Sequence, residues 1–274
     1  MPSAHPPERS SKEVTITAKK PTVRHESILG IVIPLSALVL WQLLASLGLL
    51  EDFLPAPVRV GQALVDLISD GRLADALLIS LLRAVTGLVL GVAIGSALGW
   101  FCGTSLLGSA LLNPTLQALR ALPVLALVPL FILWFGIGEL SKILMIAIAT
   151  MFPIYVNVMS AVSNMDRKYL ELASTLKLSR WQVLRRIHLP AALPAWFVGF
   201  RYSSGFALVI LVISEQVNAD SGLGYLMTEA RTYYRLDVII VGILIYGILG
   251  VLADRGVAAL ERRALRWNDA VVKA

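Results

Sequence analysis

Long apolar runs separated by short polar stretches dominate this chain. Six of them, at about residues 28–50, 77–101, 114–135, 140–162, 193–217 and 236–259, are long enough to cross a bilayer, because a span needs roughly 20 mostly apolar residues. One buried core could not absorb six such runs, so they predict an all-α membrane protein of about six transmembrane helices. Composition agrees: 57% of residues are hydrophobic and 15% charged, against about 45–50% and about 25% in soluble domains. No small-residue cleavage pattern follows the first run, which therefore reads as a retained span.

Within this frame, smaller patterns stand out. Leu54-Pro55-Ala56-Pro57 breaks the chain after the first run, and Val58 to Ser69 then mixes apolar and polar residues as an amphipathic helix would. Such a helix either lies at the membrane interface or packs as a connector. The second run carries Gly87, Gly91, Gly95, Gly99 and Gly103. Spacing of four keeps them on one helix face and predicts the close approach of another backbone. Pro123 and Pro129 in the third run and Pro153 in the fourth predict kinks that free backbone carbonyls.

The formal charge of +6 raises the question of nucleic acid, and the placement of the charges answers it. Arg9, Lys12, Lys19, Lys20 and Arg24 precede the first run. Arg167, Lys168, Lys177, Arg180, Arg185 and Arg186 lie between the fourth and fifth, and Arg255, Arg262, Arg263, Arg266 and Lys273 lie at the C-terminal end. Six spans put all three groups on one side. The other side holds only Arg59, Arg72, Lys142, Arg231 and Arg235. This is the positive-inside bias, and it predicts a multi-pass membrane protein with both termini cytoplasmic. Residues 1–26 are polar and read as a disordered tail. Cys102 is the single cysteine, which excludes an intramolecular disulfide and a cysteine-built metal site. No acid, base and nucleophile converge in sequence, so neither a catalytic nor a metal site is expected.

The basic segment at 163–192 predicts a helical hairpin. Leu170, Ala173, Thr175 and Leu176 give a short helix with a small apolar surface. Ser179 followed by Gln182 is a capping box that starts a second helix, and Pro190 and Pro194 mark a turn into the fifth span. Here the chain resembles the permeases of binding-protein-dependent ABC importers, whose EAA loop has the pattern E-A-A-x3-G-x9-I-x-L-P. Glu171, Ala173, Ile187, Leu189 and Pro190 match in register. Leu172 replaces the second position and Lys177 the glycine, where a left-handed bend would cost lysine roughly 1 kcal/mol or more. The blocks Leu54 to Pro57, Ala126 to Glu139, Phe152 to Tyr155, Ser221 to Leu226 and Leu265 to Asn268 are similar to the nitrate/sulfonate/taurine branch, and closest to the aliphatic-sulfonate permeases.

The resemblance implies a type I importer fold: a first helix and outer segment over 27–71, a transmembrane core over 72–260, and a cytoplasmic tail over 261–274. It implies a coupling helix in which Leu170, Glu171, Ala173, Leu176, Lys177 and Leu178 meet a cytoplasmic ATPase dimer. Ser179, Gln182, Ile187, Leu189 and Pro190 would support it. It also implies a periplasmic solute-binding protein and a second permease copy, with a mixed pair left open. ATP and Mg would be bound by the ATPase, since the chain has no G-x4-G-K-[ST] phosphate loop. The implied solute is a small anion, with aliphatic sulfonates ahead of taurine, nitrate and a thiamine-precursor pyrimidine. An ion-gradient-driven secondary transporter is the competing class.

Charged residues inside spans need a reason. Arg83 and Glu215 lie near span ends and read as snorkelling to the interface. Glu215 is also a substrate-path candidate, together with Arg120 and Arg201. Each arginine either faces a watery path or pairs with an acid within the bundle. His188 reads as a surface residue.

Overall fold

A computed structural model describes residues 23–50 and 54–267, except for the side chains of residues 23–31, Arg167, Leu170, Arg180 and Asn218. The tail at residues 1–22 and the end at 268–274 lie outside the described residues. Everything described is helix or connector: α1 (Val23–Ser46), α2 (Pro57–Ser69), α3 (Arg72–Thr104), α4 (Leu106–Arg120), a 3₁₀ turn (Val124–Leu127) and α5 (Val128–Phe135). There follow α6 (Glu139–Ser163), α7 (Arg167–Thr175), α8 (Arg180–Val183), a π turn (Leu184–His188), α9 (Leu189–Asn218), α10 (Leu223–Thr232) and α11 (Leu236–Ala264).

Among the described residues, four helical rods are long and apolar enough to cross a membrane, against the six spans expected: α3, α6, the run Trp181–Val217, and α11, with Val32–Ser46 of α1 a shorter apolar helix. The third apolar run differs from the expected single span. Its two halves, Leu106–Arg120 and Val124–Phe135, are bent by 90°. Pro123 explains the break, since it has no N–H to donate backwards and its ring disfavours helix in the residue before it. The fifth run differs in the opposite sense. No turn separates the hairpin from the span, because helix continues from Trp181 through Pro190 and Pro194. Pro190 cannot donate to the carbonyl four residues back, and the preceding turn widens so that the Leu189 N–H donates to the Leu184 carbonyl. Such single π turns relieve a local mismatch without ending the helix.

The glycine stripe of α3 fits against α6. A Cβ on Gly87 would fall 2.6 Å from Ile146 Cβ, and one on Gly99 would fall 2.7 Å from the Tyr155 carbonyl oxygen. Gly91 meets Thr150 and Ala147 as closely, and Gly95 meets the Met151 carbonyl. Any side chain would push the two backbones apart, so the stripe has a packing role, as expected. α9 lies along the next side of α6. There Ser203 donates to the Thr150 carbonyl at 2.6 Å, one residue beyond Ala149, whose carbonyl Pro153 leaves without its helical donor.

α2 packs against the bundle as a connector would. Val60, Ala63 and Leu67 are buried against Leu73, Ala76, Leu226 and Val241, while Val58, Val65 and Ile68 stay exposed. One face packs and the other remains free.

Candidate functional site

Three places bear on function: the hairpin at one end of the bundle, a cavity at mid-depth, and a cluster of charges at the far end.

The hairpin is built by short-range hydrogen bonds. Asp166 accepts from the Lys168 N–H at 3.0 Å and opens α7. The helix closes with the Leu178 N–H donating to the Ala173 carbonyl and the Lys177 N–H to the Ser174 carbonyl, both at 3.0 Å. That is a Schellman closure, and Lys177 sits at its left-handed position with φ 48°. The bend of the family glycine is therefore kept, and lysine bears the strain. Both bonds of the capping box are present. The Ser179 N–H donates to Gln182 Oε1 at 2.9 Å and the Gln182 N–H to Ser179 Oγ at 3.3 Å.

On the outer surface of this hairpin Tyr169, Leu172 and Leu176 are each more than half exposed, as is Trp181 beyond the bend. Glu171 is exposed beside them. Positions i, i+3 and i+7 share one helix face, so the first three form an apolar stripe. Ala173 departs from the expectation that it meets a partner: it is buried within the chain. The side chain of Leu170 lies outside the described residues. Leu178, Ile187 and Pro190 are half-buried and Leu189 is exposed. His188 is not a surface residue, for it is half-buried with its ring centroid 5.9 Å from that of Trp100.

The break between α4 and α5 opens a cavity of about 560 Å³ against α6 and α9, and Arg120 is the one charged residue in its lining. Among the described residues no acid lies within ion-pair distance of Arg120. Arg201 and Glu215 do not join it. Arg201 points to α11, with Nε 3.1 Å from Asp254 and Nη2 3.7 Å from Glu261.

Glu215 belongs to the far-end cluster, and the snorkelling expected of it and of Arg83 does not occur. Both are almost fully buried. Arg83 donates through Nε and Nη2 to the two oxygens of Glu139, at 2.6 and 2.5 Å. Its Nη1 donates to Glu215 Oε1 and to the Ser221 carbonyl, both at 2.7 Å, and Nη2 also reaches Ser221 Oγ at 3.0 Å. All five guanidinium donors are thereby used. Glu215 further accepts from Ser80 at 2.7 Å, from the Gly224 N–H at 2.9 Å and from Tyr246 at 3.1 Å. The Gly224 N–H lies in the first turn of α10, where a helix favours negative charge. Lys142, also buried, stands 3.1 Å from Glu139 and balances the second carboxylate.

Gly222 lets the chain cross this cluster. Its φ is 105°, and a Cβ there would fall 2.6 Å from Glu215 Cδ and 2.7 Å from Arg83 Nη1. The Ser221-Gly222-Leu223-Gly224 block thus has a physical reason. Sequence reading missed Ser80, Glu139, Lys142 and Tyr246 as members, and Asn157 and Tyr202 as cavity residues. Only the intramembrane charge of Arg83 and Glu215 hinted at any of this.

Known proteins agree with this architecture. An amino acid ABC transporter of known structure superposes with a TM-score of 0.58 at 16% identity, covering 73% of this chain and 97% of the other. The fold is therefore that of a type I ABC importer permease. The aliphatic sulfonates transport permease protein SsuC of Bacillus subtilis (strain 168) is 38% identical over 92% of each chain. SsuC of Escherichia coli (strain K12) is 41% identical over 87% of this chain and 91% of its own. The taurine transport system permease protein TauC of the same organism is 34% identical over 85% of this chain and 87% of its own. With a family model matched over residues 91–266, the chain belongs to the inner membrane components of binding-protein-dependent transport systems, the permease subunits of ABC importers.

Proposed function

We propose that this permease carries an aliphatic sulfonate inward across the plasma membrane, driven by an ATPase that docks on the α7–α8 hairpin. The observation behind the docking site is the stripe of Tyr169, Leu172 and Leu176, exposed on a short helix outside the spans. An amphipathic helix offering i, i+3 and i+7 anchors suits a groove on a partner, and Glu171 beside it supplies a charge to fix register. On this reading the hairpin end is cytoplasmic, as are both termini, and the far end with α2 and α10 meets a solute-binding protein. A second copy of the chain completes the path. Closure of the ATPase pair on ATP moves the hairpins as rigid bodies and alternates access.

The sulfonate assignment rests on the likeness to the two relatives named for aliphatic sulfonates transport. The TauC relative keeps taurine as the second reading. The docking proposal is tested by Glu171→Lys. The variant is expected to lose most of the ATPase in co-purification from detergent, while its own thermal unfolding stays unchanged. ATPase association equal to wild type would remove the assignment. The solute is tested by uptake into proteoliposomes holding the whole importer. Butanesulfonate should be taken up in preference to taurine, and the reverse order would favour the second reading.

A further inference from the structure

The cavity at the broken helix lies at the middle of the bundle. It is lined on α6 by residues between Ala149 and Asn157 and on α9 by residues between Tyr202 and Ile213, well inside the bounds of both helices. Irregular backbone at this depth is tolerated only where protein buries it or where it lines a cavity, and the Arg120–Val124 break does the latter. Its volume falls in the range of small-molecule sites, about 300–1,000 Å³.

The chemistry of the lining is uneven. Arg120, without an acid partner among the described residues, lines the cavity together with mainly apolar residues such as Phe152, Val156, Phe206, Val209 and Ile213. Among the described residues no carboxylate lines the cavity. From Tyr202 to Ile213 the α9 wall runs about 16 Å at 1.5 Å per residue. We infer that this cavity is the permease's own selectivity site, in which Arg120 holds the anionic head of an alkanesulfonate and the apolar walls of α6 and α9 hold its tail.

The inference rests on the importer reading above and adds a rule of discrimination. Arginine stays charged at every physiological pH and presents a fork of donors to an oxyanion. Each tail methylene removed from water contributes about 0.8 kcal/mol, so longer tails are favoured until the cavity is filled. An ammonium at the far end of the solute would meet apolar walls of aromatic and aliphatic side chains without a counter-charge, which is costly. Zwitterionic aminosulfonates are therefore disfavoured at this site.

The test uses the assembled importer, this chain with its ATPase and binding protein, in proteoliposomes. Uptake of labelled ethane-, butane- and octanesulfonate and of taurine is measured under ATP. Wild type and variants share one binding protein, so any change in the ratio between solutes belongs to the permease. Arg120→Gln is expected to lower butanesulfonate uptake at least tenfold, with Arg120→Lys recovering part of the loss. Ile213→Trp, which fills the cavity, is expected to lower the octane-to-ethane uptake ratio at least tenfold. Retention of the ATPase in size-exclusion chromatography checks that each variant assembles.

Two results overturn the proposal: wild-type uptake in Arg120→Gln, or an Ile213→Trp variant that scales all chain lengths by one factor. Should Arg120→Gln fail to assemble, the Ile213→Trp ratio decides alone. A wild-type importer that moves no alkanesulfonate is a different failure. It removes the sulfonate reading itself, and the assignment of this cavity with it.

Discussion

The two ends of the bundle are held together by different means. At the far end, Arg83, Glu139, Lys142 and Glu215 form a neutral cluster that, with its hydrogen-bond partners, draws on five helices and one loop. The hydrogen bond from Arg83 to Glu215 joins residues 132 positions apart. At the hairpin end the bonds are local, and the capping box and the Schellman closure span only a few residues each. The far end buries Arg83, Lys142 and Glu215 and leaves Glu139 open to solvent, whereas the hairpin displays apolar side chains to it. Structure that depends on distant partners is rigid and closed. Structure that depends on neighbours is set by local hydrogen bonds and leaves its outer face free for another protein.

The largest effect expected of any single change is at the far end. Arg83→Ala strands the buried carboxylate of Glu215 and leaves Glu139 to Lys142, and breaking a buried pair this way costs about 3–5 kcal/mol. Thermal unfolding in detergent should fall accordingly, and a shift too small to resolve would mean that the cluster is not a structural tie. Gly222→Ala comes next. It forces a side chain into left-handed backbone and against Glu215, at a cost of about 1–3 kcal/mol, and the same melt reads it.

The hairpin should respond on a smaller scale and without disturbing the rest. Ser179→Ala removes one cap bond worth about 1 kcal/mol. It should speed amide exchange at Gln182 and Val183 while leaving α3 and α6 unchanged. Lys177→Gly acts in the opposite direction and relieves roughly 1 kcal/mol of left-handed strain. The hairpin amides should exchange more slowly with ATPase association kept, and a complete loss of association would show that the lysine itself makes the contact. Smallest of all is Arg120→Gln. As an exposed residue with no acid partner among those described, it should shift unfolding by less than about 0.5 kcal/mol. A large destabilisation would mean that Arg120 ties the bundle together rather than serving a solute path.

The same contrast explains what could be read from the sequence. The capping box was legible because Ser179 and Gln182 are three residues apart and one turn of helix joins them. The bend at Lys177 was legible because a family glycine marks it. The helices themselves, and the packing role of the α3 glycines, follow from apolar runs and from a spacing of four. The far-end cluster was not legible, since nothing near Arg83 in sequence announces Glu139 or Glu215, and only tertiary packing joins them. Polarity misled in two places. Pro123 was visible, but the unbroken apolar run around it hid a right-angle bend and the cavity that the bend creates. Pro190 was visible too, yet the helix absorbed it by widening one turn.

That absorbed proline has a mechanical consequence. From Trp181 to Val217 the chain is one helix of 37 residues, about 55 Å long at 1.5 Å per residue. Trp181 stands at one tip, beside the exposed stripe, and Glu215 stands near the other, locked to Arg83. A rod without a joint works as a lever: a tilt applied at one tip is delivered at the other, with only the wider turn at Leu184–His188 to take up play. Leverage from the hairpin therefore arrives at the most tightly bonded point of the opposite end.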